Sequence, residues 1–189
     1  SGTVSQLVDS ASGIHARHNP YYIRTVRGDN KDPLTEFMRE SGIPNEPDYL
    51  KPDHTTVFSF PMMAPKGSVC RHDMTAIEQL EIWKIYAKHW CEHKPSVTIS
   101  VKEDEWVPVG AWCWDNFQYL SGVSFLPFSD HTYQQAPYQD IDEKEYKKLV
   151  KKMPTSIDWQ KLQDYEKEDN TKGSQELACT AGVCELVDI

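Results

Sequence analysis

The run Thr75–Val101, TAIEQLEIWKIYAKHWCEHKPSVTISV, decides the fold, because it holds a helix and a strand in direct succession. Thr75 and Glu78 have the spacing of a capping box, in which the threonine hydroxyl accepts from a free helix N–H and the glutamate reaches back. Ile77, Leu80, Trp83, Ala87 and Trp90 then recur at helical spacing until Pro95 stops the run. SVTISV (96–101) reads as a buried strand. The pattern repeats downstream, where a Trp-rich helix expected over Val109–Leu120 leads through Ser121-Gly122 into a strand, VSFLPF (123–128). Upstream, TTVFSFPMMA (55–64) is strand-like in its β-branched and aromatic content. Strands alternating with helices of this length predict parallel β-α units and an α/β fold. Three strands neither close a barrel nor cover their own edges, so the pattern predicts part of a larger α/β sheet or barrel.

The flanks are less regular. Residues 1–5 are a small, hydroxyl-rich turn, SQLVDSA has the makings of a short helix, and Gly13 suits its C-terminal cap. Residues 14–27 carry a mixed basic and aromatic run, IHARHNPYYIRTVR. Residues 28–54 are rich in Pro, Asp and Asn around a helical candidate, LTEFMRES, closed by Gly42. These pieces set an expected main portion over 1–139. Beyond it, 140–166 is a charged, weakly amphipathic helical extension. Residues 167–189 then form a polar, linker-like tail. No internal repeat is present.

A chain of 189 residues is about one domain. Its 39% hydrophobic content, with six Trp and nine Tyr, supplies a core, but no apolar run reaches the roughly 18 residues of a membrane span. A net charge of −9 argues against binding nucleic acid through its phosphates, so a phosphorylated ligand is expected to be small and locally held. Five cysteines at irregular spacing do not form a secreted disulfide framework, and the cytoplasm is the expected compartment. Ser1 opens what resembles the interior of a functional loop. The chain is therefore expected to be a piece of something longer.

Four groups of residues carry candidate chemistry. SGTVSQ (1–6) offers three hydroxyls and a glycine ahead of a helix start, a setting suited to phosphate, although a hydroxyl-rich N-cap is the commoner use of it. Cys179-Thr-Ala-Gly-Val-Cys184 sits near the carboxyl terminus without the two further ligands a zinc site needs. It reads as a tethered dithiol for thiol–disulfide exchange, or as two stray cysteines. In HWCEH, His89 and His93 share a helix face, but Cys91 lies about 200° from His89, which argues against a common metal. Cys70 with His72 and Asp73 is more often a loop ahead of a helix, Cys113 is most simply core, and the acidic run of VKEDEW (101–106) is more often a solvated loop than a ligand-orienting sheet edge. No metal ligand set is assigned.

Taken together, these segments resemble the C-terminal portion of a monomeric, adenosylcobalamin-dependent (class II) ribonucleotide reductase. The resemblance rests on SGTVSQLVDSASGIHARHNPYYIR, on HWCEHKPSVTISVKEDEW with GVSFLPFSDHTYQQAPY, and on the terminal CTAGVC. It implies the last part of a ten-stranded α/β barrel. It places Ser1, Gly2, Thr3, Val4 and Ser5 in the loop that binds substrate phosphates. Cys179 and Cys184 match the tail dithiol that re-reduces an active-site disulfide and is recharged by thioredoxin. The implied substrate is a ribonucleoside triphosphate, reduced to its deoxy form with adenosylcobalamin as cofactor. The family's finger-loop motif N-x-C-x-E is absent from the sequence, so the chain is expected to be inactive without an N-terminal portion of the same enzyme. The rival expectation is a binding module whose C-terminal dithiol works as a redox-dependent clip.

Overall fold

The computed structural model describes Ser5, residues 8–128 and 134–167, and the backbone of 176–180 and 183–187. Two layers of different character emerge. The first is an antiparallel sheet of β1 (Tyr21–Asp29), β2 (Asn45–Pro47), β3 (Thr55–Met63) and β6 (Tyr138–Asp140), in the order β2-β3-β1-β6. β1 and β3 pair along their whole length, from Tyr21 opposite Met63 to Asp29 opposite Thr55. The second is a parallel pair, β4 (Val97–Val101) and β5 (Val123–Pro127), with Val97 opposite Val123.

The parallel pair follows the expected β-α logic. α2 (Ala76–His89) opens with the capping box read from sequence, Thr75 Oγ1 accepting from Glu78 N–H and Glu78 accepting from Thr75 N–H at 2.7 Å. Its buried residues Ala76, Leu80 and Trp83 lie at i, i+4 and i+7 and pack on Val97, Ile99 and Val101 of β4, with Val109 and Trp112 of α3 (Trp106–Asp115) closing the cluster. Trp83 is fully buried, and its indole N–H donates to the Pro95 carbonyl at 2.7 Å. α3 starts three residues earlier than expected. Pro108 falls in its first turn, where a missing N–H costs nothing, and does not mark the boundary. The helix ends at Asp115 and gives way to a 3-10 turn at Phe117–Tyr119.

The strand over 55–64 departs from expectation, since it joins an antiparallel sheet and not a parallel unit. Its partner β1 lies in the basic and aromatic run, which carries no clean alternation. Tyr22 and Thr25 are buried, Arg24 between them is partly covered, and Arg27 beyond them is exposed. Arg27 Nε donates to Asp48 at 2.8 Å, and the Arg24 guanidinium stacks 4.3 Å over the Tyr138 ring. Charged ends satisfied in this way let a strand look like a charged loop in sequence. Gly28 of β1 is needed for close approach, because a Cβ there would meet Thr35 Oγ1 at 2.2 Å. That contact seats α1 (Pro33–Glu40), capped by Asp32, against the sheet.

The fold class is thus mixed α/β, and no closed barrel forms among the described residues. After β6, which spans both sides of the expected boundary at 139/140, α4 (Glu143–Val150) and a 3-10 turn (Trp159–Asp164) make up the charged extension. The extension is moored on α1: Phe37 packs against Trp159 at 5.4 Å and Tyr165 at 5.5 Å, and the Tyr165 hydroxyl donates to Glu40. In the tail, β7 (Glu176–Thr180) and β8 (Val183–Val187) pair antiparallel. Among the described residues, no helix is long and apolar enough to cross a membrane.

Candidate functional site

The alternation that buries Val97, Ile99 and Val101 under the helices turns Thr98 and Ser100 to the opposite face of β4. The segment 8–18 crosses that face. His15 fastens it, with Nε2 accepting from the Thr98 N–H at 3.0 Å and Nδ1 against the Ser12 carbonyl, which selects the Nδ1–H tautomer. Arg17 continues the fastening through the backbone: its N–H donates to Val69 O at 2.9 Å, and its carbonyl accepts from Arg71 N–H at 2.8 Å.

Two cavities flank this segment. The larger, about 730 Å³, opens between Ile14–Arg17, the Pro65–Val69 loop and the outer face of α2, with Glu78 and Glu81 in its wall. The smaller, about 330 Å³, lies over the Thr98/Ser100 face. Arg17, His18 and Arg71 line it, with Ser10, Ser12 and Tyr22, and among the described residues no carboxylate does.

The charged side chains of the smaller cavity are anchored from behind. Arg17, almost wholly buried, donates to both the carbonyl and the carboxylate of Asp9, and reaches the Tyr22 hydroxyl at 3.5 Å. Asp140 on β6 gathers three nitrogen partners: Arg71 Nη2 at 2.7 Å, His18 Nε2 at 2.8 Å and His72 Nε2 at 3.7 Å. The His18 contact is close but off the line of a ring N–H, and Arg71 Nε, also buried, has no partner among the described residues. His18 stacks on Tyr138 at 5.0 Å. Burial first, then the Arg71 guanidinium, push the His18 imidazole down to about 4, with Asp140 pulling the other way. His18 is therefore neutral at neutral pH.

A pH dependence follows from that depression. The unfolded chain takes up a proton near 6.5, before the folded one at about 4, so this contribution is complete above about 6.5 and is lost as pH falls toward 4. The full shift corresponds to roughly 3 kcal/mol, and partial solvent screening brings it to about 2 kcal/mol. Urea unfolding of the wild type and of His18→Phe across pH 7 to 4 is expected to show a difference of this size. Parallel curves for the two proteins would exclude it.

Of the residues singled out from sequence, Ser1, Gly2, Thr3 and Val4 lie outside the described residues. Ser5 is described. It is buried, its carbonyl accepts from Ser10 N–H at 2.8 Å, and its hydroxyl has no partner among the described residues. Cys179 and Cys184 are directly opposite each other in the β7–β8 register. Residues so placed have Cα atoms about 4.5–5.5 Å apart, inside the window a disulfide requires. Cys70 is buried where its strand bridge to Arg17 forms, and burial raises its thiol pKa, as it does that of Cys113. α2 ends at His89, ahead of Cys91 and His93, and among the described residues no three His, Cys, Asp or Glu side chains converge as a metal set. Glu105 of the acidic run has a structural task, accepting from Ala76 N–H at 3.0 Å and from Lys102 N–H at 2.9 Å. Sequence reading missed the grouping of Arg17, His18 and Arg71 around Asp140. Its only signal was the basic and aromatic run itself, because Asp140 lies more than a hundred residues away.

No protein-family model matches the chain. Curated proteins do. The chain is 34% identical over 166 residues, 86% of its length, to a probable adenosylcobalamin-dependent ribonucleoside-triphosphate reductase of Dictyostelium discoideum. It is 30% identical over 83% of its length to the adenosylcobalamin-dependent ribonucleoside-triphosphate reductase of Euglena gracilis. In each case it spans 22% of the relative. Among solved structures, a B12-dependent (class II) ribonucleotide reductase shares the fold over 89% of the chain and 24% of its own, with a TM-score of 0.69 at 23% identity.

Proposed function

We propose, for a chain homologous to a segment of the adenosylcobalamin-dependent ribonucleoside-triphosphate reductases, that it supplies the phosphate grip, part of the barrel wall and the reductant shuttle of such an enzyme. The observation that carries this reading is the match to the Dictyostelium protein, which runs through 86% of the chain. The whole enzyme would convert a ribonucleoside triphosphate to its 2′-deoxy form. Replacing the 2′-hydroxyl by hydrogen releases water and takes two electrons from a cysteine pair, which becomes a disulfide. Those two cysteines and the radical-bearing one would belong to the N-terminal portion.

The tail would reverse that oxidation. A Cys179 or Cys184 thiolate attacks the active-site disulfide, the mixed disulfide is resolved by its neighbour, and the tail leaves oxidised for thioredoxin to reduce. The opposed register of the two cysteines supports this use, since the backbone already holds them at disulfide spacing. Ser1–Ser5 would hold substrate phosphates, and the buried, unpartnered hydroxyl of Ser5 is in keeping with that role. The strands β4 and β5 would be two of the ten in the barrel, with Thr98 and Ser100 facing its interior.

Adenosylcobalamin, when bound, supplies a radical by homolysis of its cobalt–carbon bond. The cavities described here do not fit it whole: the larger, at about 730 Å³, lies open to one side and is smaller than a corrin ring with its nucleotide tail. This chain therefore offers at most part of the cofactor's wall. The reading is tested by supplying the complete protein that carries this chain with adenosylcobalamin, a ribonucleoside triphosphate and a small dithiol. Cofactor-dependent formation of 2′-deoxynucleotide is expected. Its absence from a folded protein would overturn the assignment.

A further inference from the structure

We propose that the 330 Å³ cavity over the Thr98/Ser100 face is a phosphoryl-anion site, with Arg71 as its principal ligand and Arg17 as its support. The proposal rests on the reading above, since it extends the phosphate grip past the loop at Ser1–Ser5. Three observations converge on it. First, both arginines and His18 line the cavity while, among the described residues, no carboxylate does; Asp9 and Asp140 hold the cations from outside its walls. Second, both guanidinium groups are largely shielded from water, with side-chain exposures of 7% for Arg17 and 17% for Arg71. A charge so placed attracts an anion more strongly than a solvated one does.

Third, donors are left unspent. A guanidinium has five N–H groups; Asp140 takes one from Arg71 through Nη2, while the buried Nε has no partner among the described residues. A phosphate oxygen is the natural acceptor for such a planar fork. The backbone clip from Val69 through Arg17 to Arg71 ties together the two segments that carry the guanidinium groups. The hydroxyls of Ser10, Ser12, Thr98 and Ser100 line the same cavity, and Ser10 also bonds back to Ser5. The site therefore adjoins the end of the loop to which substrate phosphates are assigned.

The phosphoryl group has two possible sources, the phosphate chain of the nucleotide substrate and free inorganic phosphate. Both are measured on the complete protein carrying this chain, by calorimetric titration with ribonucleoside triphosphate, with inorganic triphosphate and with orthophosphate. Arg71→Gln, checked for an unchanged thermal melt, is expected to weaken inorganic triphosphate and nucleotide in parallel by about ten- to a hundred-fold, the usual loss of a charge-assisted contact. Arg71→Lys, which keeps the charge but not the fork and guards against a misfolded glutamine variant, is expected to fall between. A loss confined to orthophosphate would make the site one for the free ion and support the anion assignment without the substrate. If Arg71→Gln and Arg71→Lys both bind all three ligands as the wild type does, the proposal fails while the phosphate-loop reading stands. If the wild type binds none of them, both fail together.

Discussion

Cys179→Ser and Cys184→Ser are each expected to stop turnover of the complete enzyme with thioredoxin while leaving turnover with a small dithiol near the wild-type rate. The chemistry sets the size of the effect. Passing two electrons to a disulfide needs one thiol to attack and a second to resolve the mixed disulfide, so losing either cysteine blocks the relay and does not merely slow it. A small dithiol diffuses to the active-site disulfide and has no need of the tail. The backbone pairing of Cys179 with Cys184 adds a further expectation: the oxidised tail closes its own ring without reaching for Cys70, Cys91 or Cys113. The measurement is steady-state deoxynucleotide formation with each reductant in parallel. Equal loss with both would reject the shuttle and leave the cysteines a structural part.

The second large effect is on stability. Trp83→Ala is expected to cost about 3–5 kcal/mol, the range for truncating a fully buried aromatic side chain. Trp83 sits where α2, β4 and α3 meet, with no exposed surface, and its removal would also leave the Pro95 carbonyl without its donor. That carbonyl belongs to the turn that ends the helix connection and starts β4, so the loss falls on the junction and not only on the core. Trp83→Phe keeps most of the volume and is expected to lose only the smaller part tied to the hydrogen bond, about 1–2 kcal/mol. Equilibrium urea unfolding of both variants measures the pair. A Trp83→Ala midpoint close to wild type would mean that this cluster does not hold the parallel pair together.

The parts of the fold that were legible in the sequence are those where local chemistry and tertiary packing agree. The start of α2 could be read because its cap and its apolar stripe act within the element, whereas its end at His89 comes well before the expected stop at Pro95. β4 was readable because burial on one face leaves a short β-branched run, and β5 because Ser121-Gly122 sets off its apolar residues. β1 was not, because its cross-strand partners satisfy its arginines, and those partners lie in β3, Asp48 and Tyr138. The same reason hid β6, three residues long, whose identity as a strand comes wholly from Tyr22, Ile23 and Arg24 alongside. Of the candidate site, the cysteine spacing was visible and its backbone register was not. The cavity was invisible in sequence, because the meeting of Arg17, His18 and Arg71 around one space is a property of chain segments that come together only after folding.

The mooring of Trp159 and Tyr165 on α1 bears on how the proposed shuttle would be timed. From Lys167 to Cys179 the chain can extend at most about 40 Å, so the anchor confines the dithiol to a sphere of that radius around one corner of the antiparallel sheet. Within such a sphere an intramolecular thiol meets its target at an effective concentration in the millimolar range, set by tether length and anchor position and by no contact at the target. Re-reduction would then be a unimolecular step whose frequency is set by the anchor on α1, a helix that packs on β1 and on the 3-10 turn at Trp159–Asp164. Delivery and chemistry would be tuned in separate parts of the chain, the first by geometry and the second by the residues of the site.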